Sequence, residues 1–139
     1  MYTELYLSVE IRDDPVAVEV LKYLSGPEKF SYGGDLDMTG PRELPDHEFF
    51  FCDRWPQVLT SSSYYFTPKA QCDFWFDEIS KSWFLVTRFD LKNYDDEIEM
   101  FLSWIKPYIR EPVCQGGFLG YWLYEEDDEP HLIRYEEIE

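Results

Sequence analysis

Between residues 35 and 46 the chain carries oxygen donors at a spacing that hard cations use. Asp35, Asp37, Thr39, Gly40, Glu43 and Asp46 fall at positions 1, 3, 5, 6, 9 and 12 of a calcium-loop template, in which carboxylate and carbonyl oxygens wrap the ion around a glycine turn. The match is incomplete. Position 12 holds Asp in place of the longer bidentate Glu, and Pro41 and Pro45 interrupt the loop; a solvated acidic loop is the simpler reading, and no metal or cofactor is assigned. A second pattern sets Asp46, His47 and Glu48 near Cys52. A thiol nucleophile needs an imidazole within hydrogen-bond reach of its sulfur, and nearness along the chain does not supply that. His47, just before an aromatic run, reads as a cap or a surface residue, and Cys52 as a small core hydrophobe. The chain contains no GxSxG, P-loop, GxGxxG, HExxH or paired CxxC signature. Dispersed carboxylates leave enzyme chemistry open, but surface solvation accounts for them more simply.

Charge is the stronger signal. The 139 residues have a formal net charge of -17, whose self-repulsion works against the folded state unless solubility or a basic partner gives it a use. Nucleic acid and anionic membranes are excluded as direct ligands, because their phosphates would be repelled. The densest acidic run is Glu125, Glu126, Asp127, Asp128 and Glu129, with Arg134 the only fixed positive charge after it. Two readings stand side by side: an interface for a basic protein surface, and a solvated turn. A similar choice surrounds Trp75, which lies between Asp73 and Asp77 on the strand face opposite Phe74 and Phe76, and Tyr121, on the same strand face as Glu125. Aromatic anchors among carboxylates suit a protein interface, the rings supplying buried area and the acids steering association. Alternatively both faces of the sheet are covered, one by helices and one by the 27-62 segment, and these rings belong to the core.

The elements that must position these residues follow from hydrophobic period. Leu5, Leu7, Val9 and Ile11 alternate with polar residues as in a half-buried strand. Asp14 and Pro15 open a helix whose stripe is Ala17, Val20, Leu21 and Leu24, and Gly26-Pro27 ends it. A long insertion, 27-62, begins rich in Gly and Pro and continues into an aromatic run, His47 to Trp55, expected to cover one edge of the core. Ser62 to Phe66 and the runs starting at Cys72 and Trp83 predict a three-stranded meander, with Ser80-Lys81-Ser82 as the second turn. A second helix carries Ile98, Phe101, Leu102, Ile105 and Ile109 on one face, with Asp95, Asp96 and Glu97 at its positive end. Phe118 to Glu125 and His131 to Glu136 form a final hairpin. The predicted fold is therefore a single α+β domain over residues 1-139. Its type is a ferredoxin-like split β-α-β-β-α-β sandwich, an antiparallel sheet with extra strands and a long insertion after the first helix.

Three cysteines, Cys52, Cys72 and Cys114, without metal spacing favour free thiols in a reducing compartment. With neither a signal peptide nor a membrane-length apolar run, the expectation is a cytoplasmic protein. Whole phrases, Leu44-Pro45-Asp46-His47-Glu48-Phe49-Phe50, Ser63-Tyr64-Tyr65-Phe66, Asp90-Leu91-Lys92-Asn93-Tyr94-Asp95 and Phe118-Leu119-Gly120-Tyr121-Trp122 with Glu125-Glu126, together resemble a group of short, acidic, uncharacterised bacterial and phage-associated proteins. The resemblance implies a single domain in a mobile-element or host-defence setting and carries no site residue with it. Two functions are expected on these grounds. One is a small acidic inhibitor, of the phage counter-defence or immunity type, occupying the basic surface of a nucleic-acid-binding host defence protein or toxin. The other is a small-molecule- or metal-binding protein, or an enzyme, that uses the 27-62 insertion over the sheet.

Overall fold

The computed structural model describes residues 2-26, 44-63, 69-112 and 117-139. Its elements are β1 (Tyr2–Ile11), α1 (Pro15–Ser25), β2 (Gln71–Asp77), β3 (Ser82–Lys92), α2 (Glu97–Ile105), β4 (Phe118–Tyr124) and β5 (His131–Arg134). The strands form one five-stranded sheet in the order β2-β3-β1-β4-β5, with every neighbouring pair antiparallel. The fold is α+β, as the alternation of period 2 and period 3.6 predicts. Among the described residues no helix is long and apolar enough to cross a membrane.

β1 is the central strand. Its Leu5, Leu7, Val9 and Ile11 are at most 5% exposed, and they lie opposite Phe89, Thr87, Leu85 and Trp83 of β3. This is the face on which α1 and α2 supply Ala17, Val20, Leu21, Ile98, Phe101 and Ile105 to a shared core. Asp14 caps α1 as its sequence predicts, its carboxylate accepting the amides of Val16 at 3.0 Å and Ala17 at 3.1 Å. α2 ends earlier than its apolar stripe suggests. Pro107 turns residues 106-108 into a 3-10 turn, and Ile109 leaves the helix to bridge Ile11 on β1, still fully within the core.

The described part of the insertion does not lie over the opposite face of the sheet. Phe49 packs edge-on to Phe101 and parallel to Trp104 of α2, while Trp55 meets Tyr23 of α1. Leu59 accepts the Thr87 hydroxyl from the core side of β3. Residues 48-59 thus fill the gap between the helices and share their core. Ser61 and Ser63 run along the part of β3 that β2 does not reach, bonded to Asp90 through the Asp90 amide and carboxylate. Ser62 and Ser63 are not in a strand, and the remainder of that expected strand, 64-66, lies outside the described residues. The final hairpin is shorter than predicted: β5 stops at Arg134, and residues 135-137 make a 3-10 turn.

Gly120 is dictated by β1. A Cβ at this position would lie 1.9 Å from the Tyr6 carbonyl oxygen, so only glycine lets β4 approach at this point. We expect Gly120→Ala to destabilise the fold by about 1–3 kcal/mol, as overpacking does. Phe101→Ala, at a fully buried position, is expected to cost about 3–5 kcal/mol. Trp75→Ala should cost far less than Phe101→Ala, since Trp75 is 47% exposed. Urea denaturation of the three variants checks this order.

Candidate functional site

On the face of the sheet away from the helices, aromatic rings alternate with charge. Trp75 stacks on Phe84 of the neighbouring strand at 5.6 Å, and Tyr6 stacks on Tyr121 at 5.7 Å. The Tyr121 hydroxyl donates to Glu4 Oε1 at 2.7 Å, and the other Glu4 oxygen lies 3.4 Å from the Arg88 guanidinium. Burial, followed by the Glu4 hydrogen bond and charge, pushes the Tyr121 hydroxyl up to about 12. Tyr121 is thus committed to a buried carboxylate and is only half-exposed. Glu10 accepts the Ser82 hydroxyl at 2.6 Å and pairs with Arg110 at 3.0 Å. Asp77 is also spoken for: it accepts both the hydroxyl and the amide of Ser80, which hold its carboxyl below the ordinary range. Of the strand residues expected at an interface, Trp75 and Asp73 are the exposed pair.

The acidic hairpin tip sits elsewhere. Glu126, Asp127, Asp128 and Glu129 are exposed and Glu125 half-buried, because the Glu125 amide is tied to the Tyr2 carbonyl at the start of β1. Trp75 lies opposite Phe84, which lies opposite Glu10. The eight steps along the strand from Tyr2 to Glu10, at about 3.4 Å each, set the hairpin roughly 27 Å from Trp75 along the sheet. The expected interface residues therefore form two separate corners. Of the calcium-loop candidates, Asp35, Asp37 and Glu43 lie outside the described residues, and Asp46 is exposed. Among the described residues no group of three or more His, Cys, Asp or Glu is arranged to hold a metal.

Cys52 and His47 do not form a nucleophile and base. His47 caps residues 48-51, its Nδ1 accepting the Phe49 amide at 3.0 Å, and its Nε2 lies 3.4 Å from the Ser103 hydroxyl. The Cys52 thiol points to the Asp95 carbonyl at 3.5 Å. Burial, then the charges of Glu97 and its acidic neighbours, push it up to about 11, the wrong direction for a thiolate.

The sequence reading passed over a cleft beside the hairpin. Asn93, Tyr94 and Asp96, leading into α2, face Trp122, Tyr124, Asp127 and His131 across a space of about 750 Å³. Trp122 and His131, cross-strand neighbours on β4 and β5, stack at 4.0 Å with their planes 8° apart. His131 Nε2 is 3.7 Å from an Asp127 oxygen. On the opposite wall Asn93 does two jobs: its carbonyl accepts the Ile98 amide at 2.9 Å and its amino group donates to Glu99 at 2.9 Å. Glu99 is pushed up to about 7, by burial first and then by a hydrogen bond to Asp96 and that residue's charge, against the Asn93 bond that lowers it. Asp96 itself has φ of 58°, a left-handed conformation that Asp tolerates better than most residues. Spacing alone marks Asp95 to Glu99 as a helix start; only the meeting of residue 96 with residue 131 makes a cleft, and no local pattern encodes that.

No protein-family model matches the chain, and no curated protein or solved structure matches it.

Glu99 ties the cleft to pH. Its folded value of about 7 stands above the ordinary 4.5, so the folded state holds a proton that the unfolded chain gives up. Stability from this group is complete below pH 4.5 and is lost as pH rises to 7. Across that window the melting temperature of Glu99→Gln, followed by circular dichroism, should rise relative to the parent, and the two should differ least at the acid end.

Proposed function

We propose that this chain is a small acidic binding protein that occupies the basic, nucleic-acid-binding surface of a partner protein and inhibits it. The observation that carries this reading is the β4-β5 hairpin, where four exposed carboxylates, Glu126 to Glu129, extend from an edge of the sheet. Each is exposed, so a partner's lysines and arginines can reach it, and the complementary charge steers association and fixes register. Trp75 and Asp73, at the far corner, are suited to a second contact on an extended basic surface, as a nucleic-acid groove presents. A cytoplasmic host-defence protein or toxin fits this description, in a phage counter-defence or immunity setting.

The scaffold is read in the same spirit. We propose a ferredoxin-like split β-α-β-β-α-β sandwich with β5 added at the β4 edge, a reading supported by the order β2-β3-β1-β4 and by the positions of α1 after β1 and α2 after β3. A small-molecule or metal site, or an enzyme, built on the 27-62 insertion is the second reading. It has less support, because the described part of that insertion, residues 44-62, contributes Phe49, Val58 and Leu59 to the core, while its Glu48, Phe51, Cys52 and Asp53 line an open hollow of about 430 Å³.

Pull-down from host lysate at low and high salt identifies the partner. Changing Glu125, Glu126, Asp127, Asp128 and Glu129 together to Gln and Asn should then weaken binding at low salt by at least tenfold and flatten its salt dependence. Unchanged affinity and unchanged slope in a folded variant would remove the hairpin from the interface.

A further inference from the structure

The cleft beside the hairpin is more than an extension of the acidic surface. Its two walls come from different elements, the α2 entry on one side and the β4-β5 hairpin on the other, and it continues into a second space of about 490 Å³ that shares Glu99, Trp122 and His131 with it. The second space is lined in part by Met100, Leu102 and Ile133. An apolar floor thus lies next to an acidic mouth. Around the first space Asp96, Glu99 and Asp127 supply three carboxyl groups, and among its described lining residues there is no Lys or Arg. The Arg54 guanidinium lies 5.1 Å from the Tyr94 ring centroid, and Arg134 lines the second space. The volume, about 750 Å³, falls within the range of sites that enclose small ligands or short peptide segments, about 300–1,000 Å³.

We infer that this cleft receives a lysine or arginine side chain of the basic partner, its aliphatic stem against Trp122 and its charged head between the Asp96–Glu99 pair and Asp127. This deepens the reading of the chain as a binder of basic protein surfaces and rests on it. The chemistry follows from the side chains. Long basic residues combine an apolar stem with a charged tip, which is the sequence of surfaces the cleft presents from its Trp122 floor to its rim. Aromatic rings next to carboxylates favour organic cations over bare metal ions, since a ring attracts a diffuse, weakly hydrated charge. The Trp122–His131 stack keeps the floor flat, and an Asp127 oxygen lies 3.7 Å from His131 Nε2. Asn93, fixed at both ends by Ile98 and Glu99, sets the position of the facing wall. A bound cation satisfies the carboxyl pair once both groups are ionised, a state that the free protein opposes by keeping a proton on Glu99.

The test is an NMR titration of the whole chain with a blocked Gly-Arg-Gly peptide, its lysine and citrulline counterparts, and spermidine, reading the Trp122 indole N–H, identified through Trp122→Phe, and the His131 ring protons. The arginine and lysine peptides should shift both signals, and the citrulline peptide, equal in shape but uncharged, should shift neither. Combined Asp96→Asn and Glu99→Gln should weaken the peptides at least tenfold, whereas combined Glu19→Gln and Glu78→Gln, which remove two carboxyl groups at exposed sites elsewhere, should change affinity less than twofold. Should the double cleft variant lose its folded spectrum, Asp127→Asn on the exposed side takes its place with the same expected direction. Equal shifts from citrulline, equal losses in the Glu19 and Glu78 variant, or spermidine binding as tightly as the peptides would each overturn the inference. Failure here leaves the hairpin experiment to stand alone: partner binding that depends on residues 125–129 while the peptides ignore the cleft rejects the pocket and keeps the interface.

Discussion

Ten residues of β1 pair with β3 without a break, and five of the same strand pair with β4 on its other side. Everything else hangs on this central ladder. A strand bonded along both edges cannot slip by one residue without turning Leu5, Leu7, Val9 and Ile11 out of the core, so its register fixes which side chains point to the helices and which to the open face. The helices are short, and neither would persist alone; they are held by the apolar face that β1 and β3 present. The aromatic run at residues 49-55 then closes the space between α1 and α2 with rings stacked edge to face, a geometry favoured by the quadrupoles of the rings.

A chain this acidic has to place some of its carboxylates badly. Glu4, Asp90 and Glu97 are at most 2% exposed, and each keeps one oxygen without a hydrogen bond. The three are managed differently. Glu4 has Tyr121 and Arg88, Asp90 accepts the Ser63 amide, and Glu97 accepts the Asp95 amide with Arg54 3.7 Å away. Burial raises the Glu97 carboxyl nonetheless. These residues hold loops and strand ends in position, whereas Glu19, Asp46, Asp73 and Glu78, like Glu126 to Glu129 of the hairpin, are exposed. The division separates structural carboxylates from those free to meet another molecule.

Much of this was legible in the chain. Alternation found β1, β2 and β3, and the Asp14–Pro15 pair marked the start of α1. The remainder depended on contacts between distant residues. Phe74 reads as core from its alternation, yet it lies on an edge strand, half-buried against Trp83. Glu97 reads as a solvated charge at a helix start and is wholly buried, because Arg54 and the Asp95 amide reach it from outside the pattern. His131 reads as a lone hairpin histidine, and only its stacking on Trp122 opposite Asp96 and Glu99 reveals the cleft. The hairpin was visible as a run of charge; that it stands a sheet's length from Trp75 was not, since separation in space follows from strand order and register.

β5, at the end of the strand order, is four residues long from His131 to Arg134, and it is entered directly from the acidic turn. Exposed strand edges invite a second copy of the same chain to add its own edge, strand to strand. Two such edges approaching here bring two runs of carboxylates together, and their repulsion rises as the strands close. The carboxylates of the turn therefore oppose self-addition beside β5, and neutralising them would remove that repulsion.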